Sequence, residues 1–228
     1  MKTFNLFQYL KKLIRILLTA FTHKVFGKPI THIPSSEKVI ALTYDDGPNL
    51  PFTEQLLNTF ERFQVKVTFF AVGKNIEEHP ETIRLIYSKG HELGNHSYSH
   101  KNMRFENLFS IMSELKKTEY LCKQLGVSLT NYVRPPFGAI GLFFLIALRL
   151  MRKQMVLWSI DPRDFAASSV EDIENSILDA IKPGGIILLH DGGGDRSLTV
   201  AATERLILEL HRRGYQFKTI SELVLLRS

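Results

Sequence analysis

From about residue 36 onward the chain keeps a regular beat, and that beat limits the folds open to it. Short apolar runs read as strands: VIALTY (39–44), KVTFFAV (66–72), HELGNH (91–96), NYVRP (131–135), MVLWSID (155–161), GIILLH (185–190) and YQFKTI (215–220). Between them the apolar spacing turns helical, as in FTEQLLNTFERF (52–63), PETIRLIYSKG (80–90), residues 108–126, VEDIENSILDAI (170–181) and TERLILELHRRG (203–214). Nearly continuous apolar strands alternating with amphipathic helices predict a mostly parallel sheet with its faces covered. Seven such repeats are too many for a small open sheet and fit a closed or nearly closed barrel, whose chemistry collects at the C-terminal ends of the strands.

The polar residues obey that rule. Asp45 and Asp46 follow the first strand, His96 and His100 the third, Arg134 the fourth, Asp161 and Asp164 the fifth, and His190 ends the sixth. Five strands therefore deliver ionisable groups to one rim. His96 and His100, joined to a carboxylate from another strand end, make a two-histidine, one-carboxylate ligand set that leaves coordination positions free for water and substrate. Zinc is the first expectation for such donors, and cobalt, nickel, iron or manganese also accept them.

Five ordered motifs, TYDDGP, HSYSH, RPPFG, WSIDPRDF and IILLHD, resemble those of the polysaccharide deacetylase family, the NodB-homology group or carbohydrate esterase family 4. The resemblance runs over roughly residues 36–226. It implies a distorted (β/α)7 barrel, in agreement with the strand count. It implies Asp46, His96 and His100 as ligands of one divalent ion and Asp45 as the general base that takes a proton from the attacking water. Arg134 would hold Asp45 through a charge-assisted fork. The Phe137 backbone N–H would donate to the oxyanion. His190 would protonate the leaving amine, and Asp164 would support His190, with Asp161 left open as the closer partner. Trp158 and Leu188 are expected to wall the acetyl pocket, although core packing serves both equally well. The chain departs from the family at Phe165, where tryptophan is usual, and at Phe137, where tyrosine is frequent. The implied activity is hydrolysis of N-acetyl groups on amino sugars of a polysaccharide, oligosaccharide or glycolipid. The alternative is a deformylase or amidase of the same fold acting on a lipid-linked sugar or a non-sugar amide. A catalytically silent binding module is a third reading, and the complete set of ionisable groups argues against it.

Charge decides what else the chain is expected to meet. The formal net charge is +6, but Lys2, Lys11, Lys12, Arg15, Lys24 and Lys28 precede residue 29 and no acidic residue occurs before Glu37. The rest of the chain is balanced, so nucleic-acid binding is not expected. Over residues 4–24 a broad face of Leu6, Phe7, Leu10, Leu13, Ile14, Leu17, Leu18 and Phe21 opposes Gln8, Lys12, Arg15 and Thr19. Arg15 breaks the apolar run, which leaves it short of the ~20 residues of a membrane span. A basic helix lying in a membrane interface and a helix packed on the protein's own surface both fit this pattern, and an atypical signal sequence is a third option. The expected location is the cell envelope or a membrane surface, with the cytoplasmic face left open. Gly27, Pro29, Pro34 and two serines then read as a linker, dividing the chain into an N-terminal segment, 1–35, and a catalytic domain, 36–228. The run from Gly141 to Leu148 is too short to cross a bilayer. It is expected as a helix buried beneath its neighbours, the alternative being an exposed patch that joins the N-terminal helix on a membrane. A single cysteine, Cys122, excludes an intrachain disulfide and predicts a small buried apolar role.

Overall fold

The first strand shows how the barrel is layered. β1 (Val39–Asp45) is buried at all seven positions. Successive side chains of a strand point to opposite faces. Ile40, Leu42 and Tyr44 enter a core shared with the surrounding helices, whereas Val39 and Ala41 enter a second core inside the barrel. The inward series continues through Thr43 to Asp45, so the strand's own periodicity delivers a carboxylate to the barrel axis.

The computed structural model describes residues 24–226. The pattern read over residues 4–24 falls, but for Lys24, outside them. The remaining strands are β2 (Thr68–Ala71), β3 (Glu92–Asn95), β4 (Tyr132–Val133), β5 (Gln154–Met155), β6 (Gly185–His190) and β7 (Gln216–Phe217). Strands form in all seven expected regions, although the fifth is a strand only at Gln154–Met155, with Val156 and Ile160 in isolated bridges. They make one parallel sheet in the order β5-β4-β3-β2-β1-β6, with β7 pairing the first two residues of β1. The covering helices are α1 (Phe52–Phe63), α2 (Gly73–Glu78), α3 (Pro80–Ser88), α4 (Leu108–Gln124), α5 (Leu142–Leu150), α6 (Val170–Ala180), α7 (Ser197–Arg212) and α8 (Ile220–Leu225). The fold is a distorted (β/α)7 barrel. Asn107 and Ser169 cap α4 and α6, and Thr219 with Glu222 forms a capping box at α8. α8 plugs the barrel floor with Ile220 and Leu223. Cys122 is buried on α4 among apolar side chains, and burial pushes its thiol up to about 12.

Two elements differ from the sequence expectation. Residues 30–33, read as linker, are a stave of the barrel. Ile30 N–H donates to Met155 and Leu157 N–H to Ile30 on one side, while Ile33 N–H donates to Gly184 on the other. Ile30 and Ile33 are buried. The stave fills the seam between β5 and β6; nearer the rim the segment after β5 closes on β6 directly, through Ser159 and an Ile160–Ile187 bridge. Gly184, at φ 81°, lies so close to the Ile33 carbonyl that any side chain would collide with it. Proline and serine on either side hide this stave in the composition. α5, expected beneath its neighbours, buries Phe144, Ala147 and Leu148 and leaves Leu142, Phe143 and Leu150 exposed.

Candidate active site

Asp46, His96 and His100 come together above the end of β1. One ligand atom from each lies within 4.8 Å of the others. Asp46 Oδ1 is 2.9 Å from His100 Nε2 and 3.3 Å from His96 Nε2, yet it is a buried oxygen with no hydrogen-bond partner. His96 Nδ1–H donates to the Arg134 carbonyl at 2.7 Å, which fixes the ring and turns the Nε2 lone pair inward. Burial opposes charge on Asp46, but His100 and His96 hold its carboxyl far below the usual carboxylate range. Three converging donors, one of them an orphaned buried oxygen, fit a divalent cation. Asp46, Ser97 and His100 have φ of 74°, 66° and 54°. Non-glycine residues rarely adopt this region, and they cluster at sites where the surrounding structure holds them.

Asp45 lies beside this triad and is 3% exposed. Its Oδ1 accepts from Arg134 Nη1 at 2.7 Å. The contact is a single hydrogen bond and not the expected fork, because the guanidinium is already engaged. Nη1 also donates to Thr43 Oγ1, Nη2 to the Leu157 carbonyl and Nε to that of Val156. The Phe70 ring lies 4.1 Å from the guanidinium carbon. Arg134 is therefore a wholly buried cation whose charge is met by Asp45 and by an aromatic face.

His190 stands opposite. Its Nδ1–H donates to Asp164 Oδ1 at 2.7 Å, and its backbone N–H donates to Asp164 Oδ2 at 2.9 Å. Thr199 Oγ1–H donates to the same Oδ2. Burial works against a charged His190, but Asp164, then Asp45 and Asp46, raise its affinity for a proton above the ordinary histidine value. Asp161 instead accepts from the Arg163 N–H and leaves His190 to Asp164.

These groups border a cavity of about 510 Å³ walled by Phe137, Trp158, Phe165, Leu188, Gly193 and Arg196. Phe137 packs edge-on against His100 and Phe165 edge-on against His190, both rings largely exposed at the mouth. Phe137 is held at φ 60° in a tight turn after the Pro135–Pro136 pair. The turn's bonds come from the Gly138 and Ala139 N–H groups, and neither uses the Phe137 N–H.

The match to known proteins follows this geometry. Residues 32–152 match the polysaccharide deacetylase family. The chain is 39% identical over 197 residues to a peptidoglycan-N-acetylglucosamine deacetylase of Bacillus cereus, covering 84% of this chain and 91% of that protein. The chain belongs to the polysaccharide deacetylase family. It is 32% identical to a chitooligosaccharide deacetylase of Rhizobium leguminosarum bv. trifolii, over 85% of this chain and 95% of the relative. The crystal structure of the Bc1960 peptidoglycan N-acetylglucosamine deacetylase superposes with a TM-score of 0.82 at 33% identity, covering 85% and 91% of the two chains. As a polysaccharide deacetylase the protein is a metal-dependent hydrolase of N-acetylated amino sugars, and its triad is a divalent-metal site.

Sequence reasoning missed three supports of this polysaccharide deacetylase site. Thr43 and Thr199, which donate or accept beneath Asp45 and Asp164, carry no signal beyond ordinary strand and helix positions. Asp191 directly follows His190 in a quoted motif, and that adjacency was the available clue. It is 1% exposed, accepts from Thr53 Oγ1 at 2.6 Å, and leaves Oδ1 without a partner. Burial pushes its carboxyl up to about 7, against the Thr53 bond and with help from Asp46 and Asp45. Gly47 is obligatory beside it, since a side chain there would collide with the carboxylate. Arg196 does not pair with the Asp195 carboxylate. Its guanidinium donates to the carbonyls of Gly192 and Gly193 and clasps its own loop.

Proposed function

We propose that the chain removes the N-acetyl group from N-acetylglucosamine residues of peptidoglycan, at the cell envelope, with zinc as the ion. The observation that carries this reading is the 39% identity to a peptidoglycan-N-acetylglucosamine deacetylase across 91% of that relative's length. Zinc is favoured by the donor set of two imidazoles and one carboxylate. The catalytic domain is residues 36–228 together with the stave at 30–33.

In this reading Asp46, His96 and His100 hold the cation, which when bound supplies Lewis acidity toward water and the acetyl carbonyl. Asp45 accepts the proton of the attacking water. Arg134 keeps the Asp45 carboxylate aimed, because Thr43 and two carbonyls hold the guanidinium still. The Phe137 N–H donates to the oxygen that gains charge as the carbonyl becomes tetrahedral. Leu188 and Trp158 enclose the acetyl methyl. His190 gives the proton on Nε2 to the departing amine, while Asp164 accepts from Nδ1–H and steadies the ring. Acetate and a free amino sugar result.

The test is release of acetate from purified peptidoglycan and from chitin oligomers at matched N-acetylglucosamine content. Faster release from peptidoglycan is expected. Preference for the oligomers would move the substrate to the chitooligosaccharide class, and formate or ammonia in place of acetate would overturn the reading.

A further inference from the structure

α5 turns an apolar face to solvent. Leu142, Phe143 and Leu150 are 61%, 49% and 62% exposed. With the half-buried Ile146 they form one stripe along the helix. Gly141 packs against the Arg104 carbonyl so tightly that no side chain fits, which brings the loop before α4 beside the start of α5. Phe105 and Phe109, 85% and 84% exposed, extend the stripe there. A contiguous set of large exposed apolar side chains marks an interaction surface.

Around α5 its surroundings are basic, while Glu106, between Phe105 and Phe109, is paired with Lys101. No acidic residue occurs between Glu119 and Asp161. Arg149 and Arg152 are exposed on and just after α5. Next to α5, a groove of about 480 Å³ runs between the helix and the start of the described chain, with Phe26 and Leu145 in its walls and Lys28 and Arg152 among its lining. The chain that enters this groove carries Lys2, Lys11, Lys12 and Arg15 upstream and no acidic residue. The apolar stripe and the cationic fringe of Arg149 and Arg152 thus share one helix and its end.

We infer that this side of the protein docks on a bilayer rich in anionic lipid, with Leu142, Phe143 and Leu150 in the interface and Arg149, Arg152 and Lys28 on the headgroups. A second copy of the chain would bring two cationic fringes together, which like charge opposes, whereas an anionic surface complements them. No helix among the described residues is long and apolar enough to cross a membrane, so the contact is peripheral. α5 runs from the catalytic rim toward the opposite end of the barrel. A bilayer against its outer face therefore leaves the mouth open to one side.

The experiment is co-sedimentation of the full chain with vesicles of phosphatidylcholine alone or mixed with phosphatidylglycerol. Binding to the mixed vesicles only, weakened by salt, is expected. The R149Q/R152Q variant should bind about ten-fold to thirty-fold more weakly. L142S/F143S/L150S should lose at least about ten-fold through its missing apolar contact. Both should release acetate from a soluble chitin oligomer at the parent rate, since none of these residues lines the catalytic cavity. The one cysteine, Cys122, is buried, so F143C supplies a single reactive thiol. That thiol should react readily in buffer and be protected by the anionic vesicles. Equal binding by parent and variants overturns the inference. So does a thiol already shielded without vesicles, because a second copy or the protein's own leading segment would then occupy the face.

Discussion

Asp45 and His190 occupy partnered positions in the parallel register of β1 and β6. Partnered residues of adjacent parallel strands point to the same face, so the proposed base and acid are set on one side of the sheet by backbone pairing alone. Their separation does not depend on loop conformation. Asp45→Asn and His190→Ala should each lower kcat by about 10²- to 10⁴-fold. The double variant should fall little further, because water attack and amine departure belong to one hydrolysis and loss of either proton transfer already stalls it. Acetate release measured on the three proteins checks this, and a full multiplicative loss would separate the two roles.

The pH profile should report the clasp on His190. Asp164 is the principal group raising the histidine's proton affinity against the effect of burial. The protonated form that the proposed acid requires is therefore kept to higher pH than in an ordinary histidine. Removing the carboxylate charge in Asp164→Asn lowers the histidine's pKa, so the alkaline limb of kcat/KM should move toward lower pH. An alkaline limb that stays in place in this variant would assign the limb to another group.

Metal content offers a readout independent of turnover. Asp46→Ala and His96→Ala should purify with strongly reduced divalent metal by elemental analysis, and the parent should lose activity in chelator and recover it on adding zinc. Thr199→Ala, which loosens only the support under Asp164, should retain its metal.

Stability should depend on the stave between β5 and β6. A chain shortened to begin at residue 29 keeps Ile30 and Ile33, and one shortened to begin at residue 36 loses both. Each of the two buried isoleucines is worth about 1.5–3 kcal/mol, so the shorter chain should be less stable by about 3–6 kcal/mol in urea unfolding. Equal stability of the two would reduce the stave to a passive covering.

Acid should weaken the fold through His91. Burial, then Lys66 and Lys89, push its pKa down to about 4. The unfolded chain takes up a proton near 6.5, so between 6.5 and about 4 it binds more protons than the folded chain. Stability is then complete above that window and falls as pH drops through it, by about 3 kcal/mol in all. His91→Phe, which keeps a ring beside Phe60 and Phe69, should flatten this slope between pH 7 and pH 5 in urea titrations.

What was legible in the sequence divides along physical lines. Strand periodicity and strand-end polarity are local, and they placed Asp45, Asp46, His96, His100, Arg134 and His190 on one rim before any coordinates. Ile30 and Ile33 were missed because a single extended stave has no period to read and sits between proline and serine. The choice of Asp164 over Asp161 depends on a tight turn at Arg163, whose φ of 54° no residue pattern announces. The guanidinium of Arg134 gave up its fork because Thr43, Val156 and Leu157, all distant from it in sequence, claim its other donors. The apolar run of α5 was visible, but which of its faces lies bare is decided by what packs on it.

Asp164 grips both the imidazole and the peptide N–H of the same residue. The ring therefore cannot swing aside for a bulkier sugar without dragging its strand along. Widening of the mouth is then left to the exposed rings of Phe137 and Phe165, which rest edge-on against His100 and His190. In the proposed mechanism, discrimination between glycans falls to these two exposed phenyl rings, so substrate choice can drift while the proposed proton-transfer geometry stays untouched.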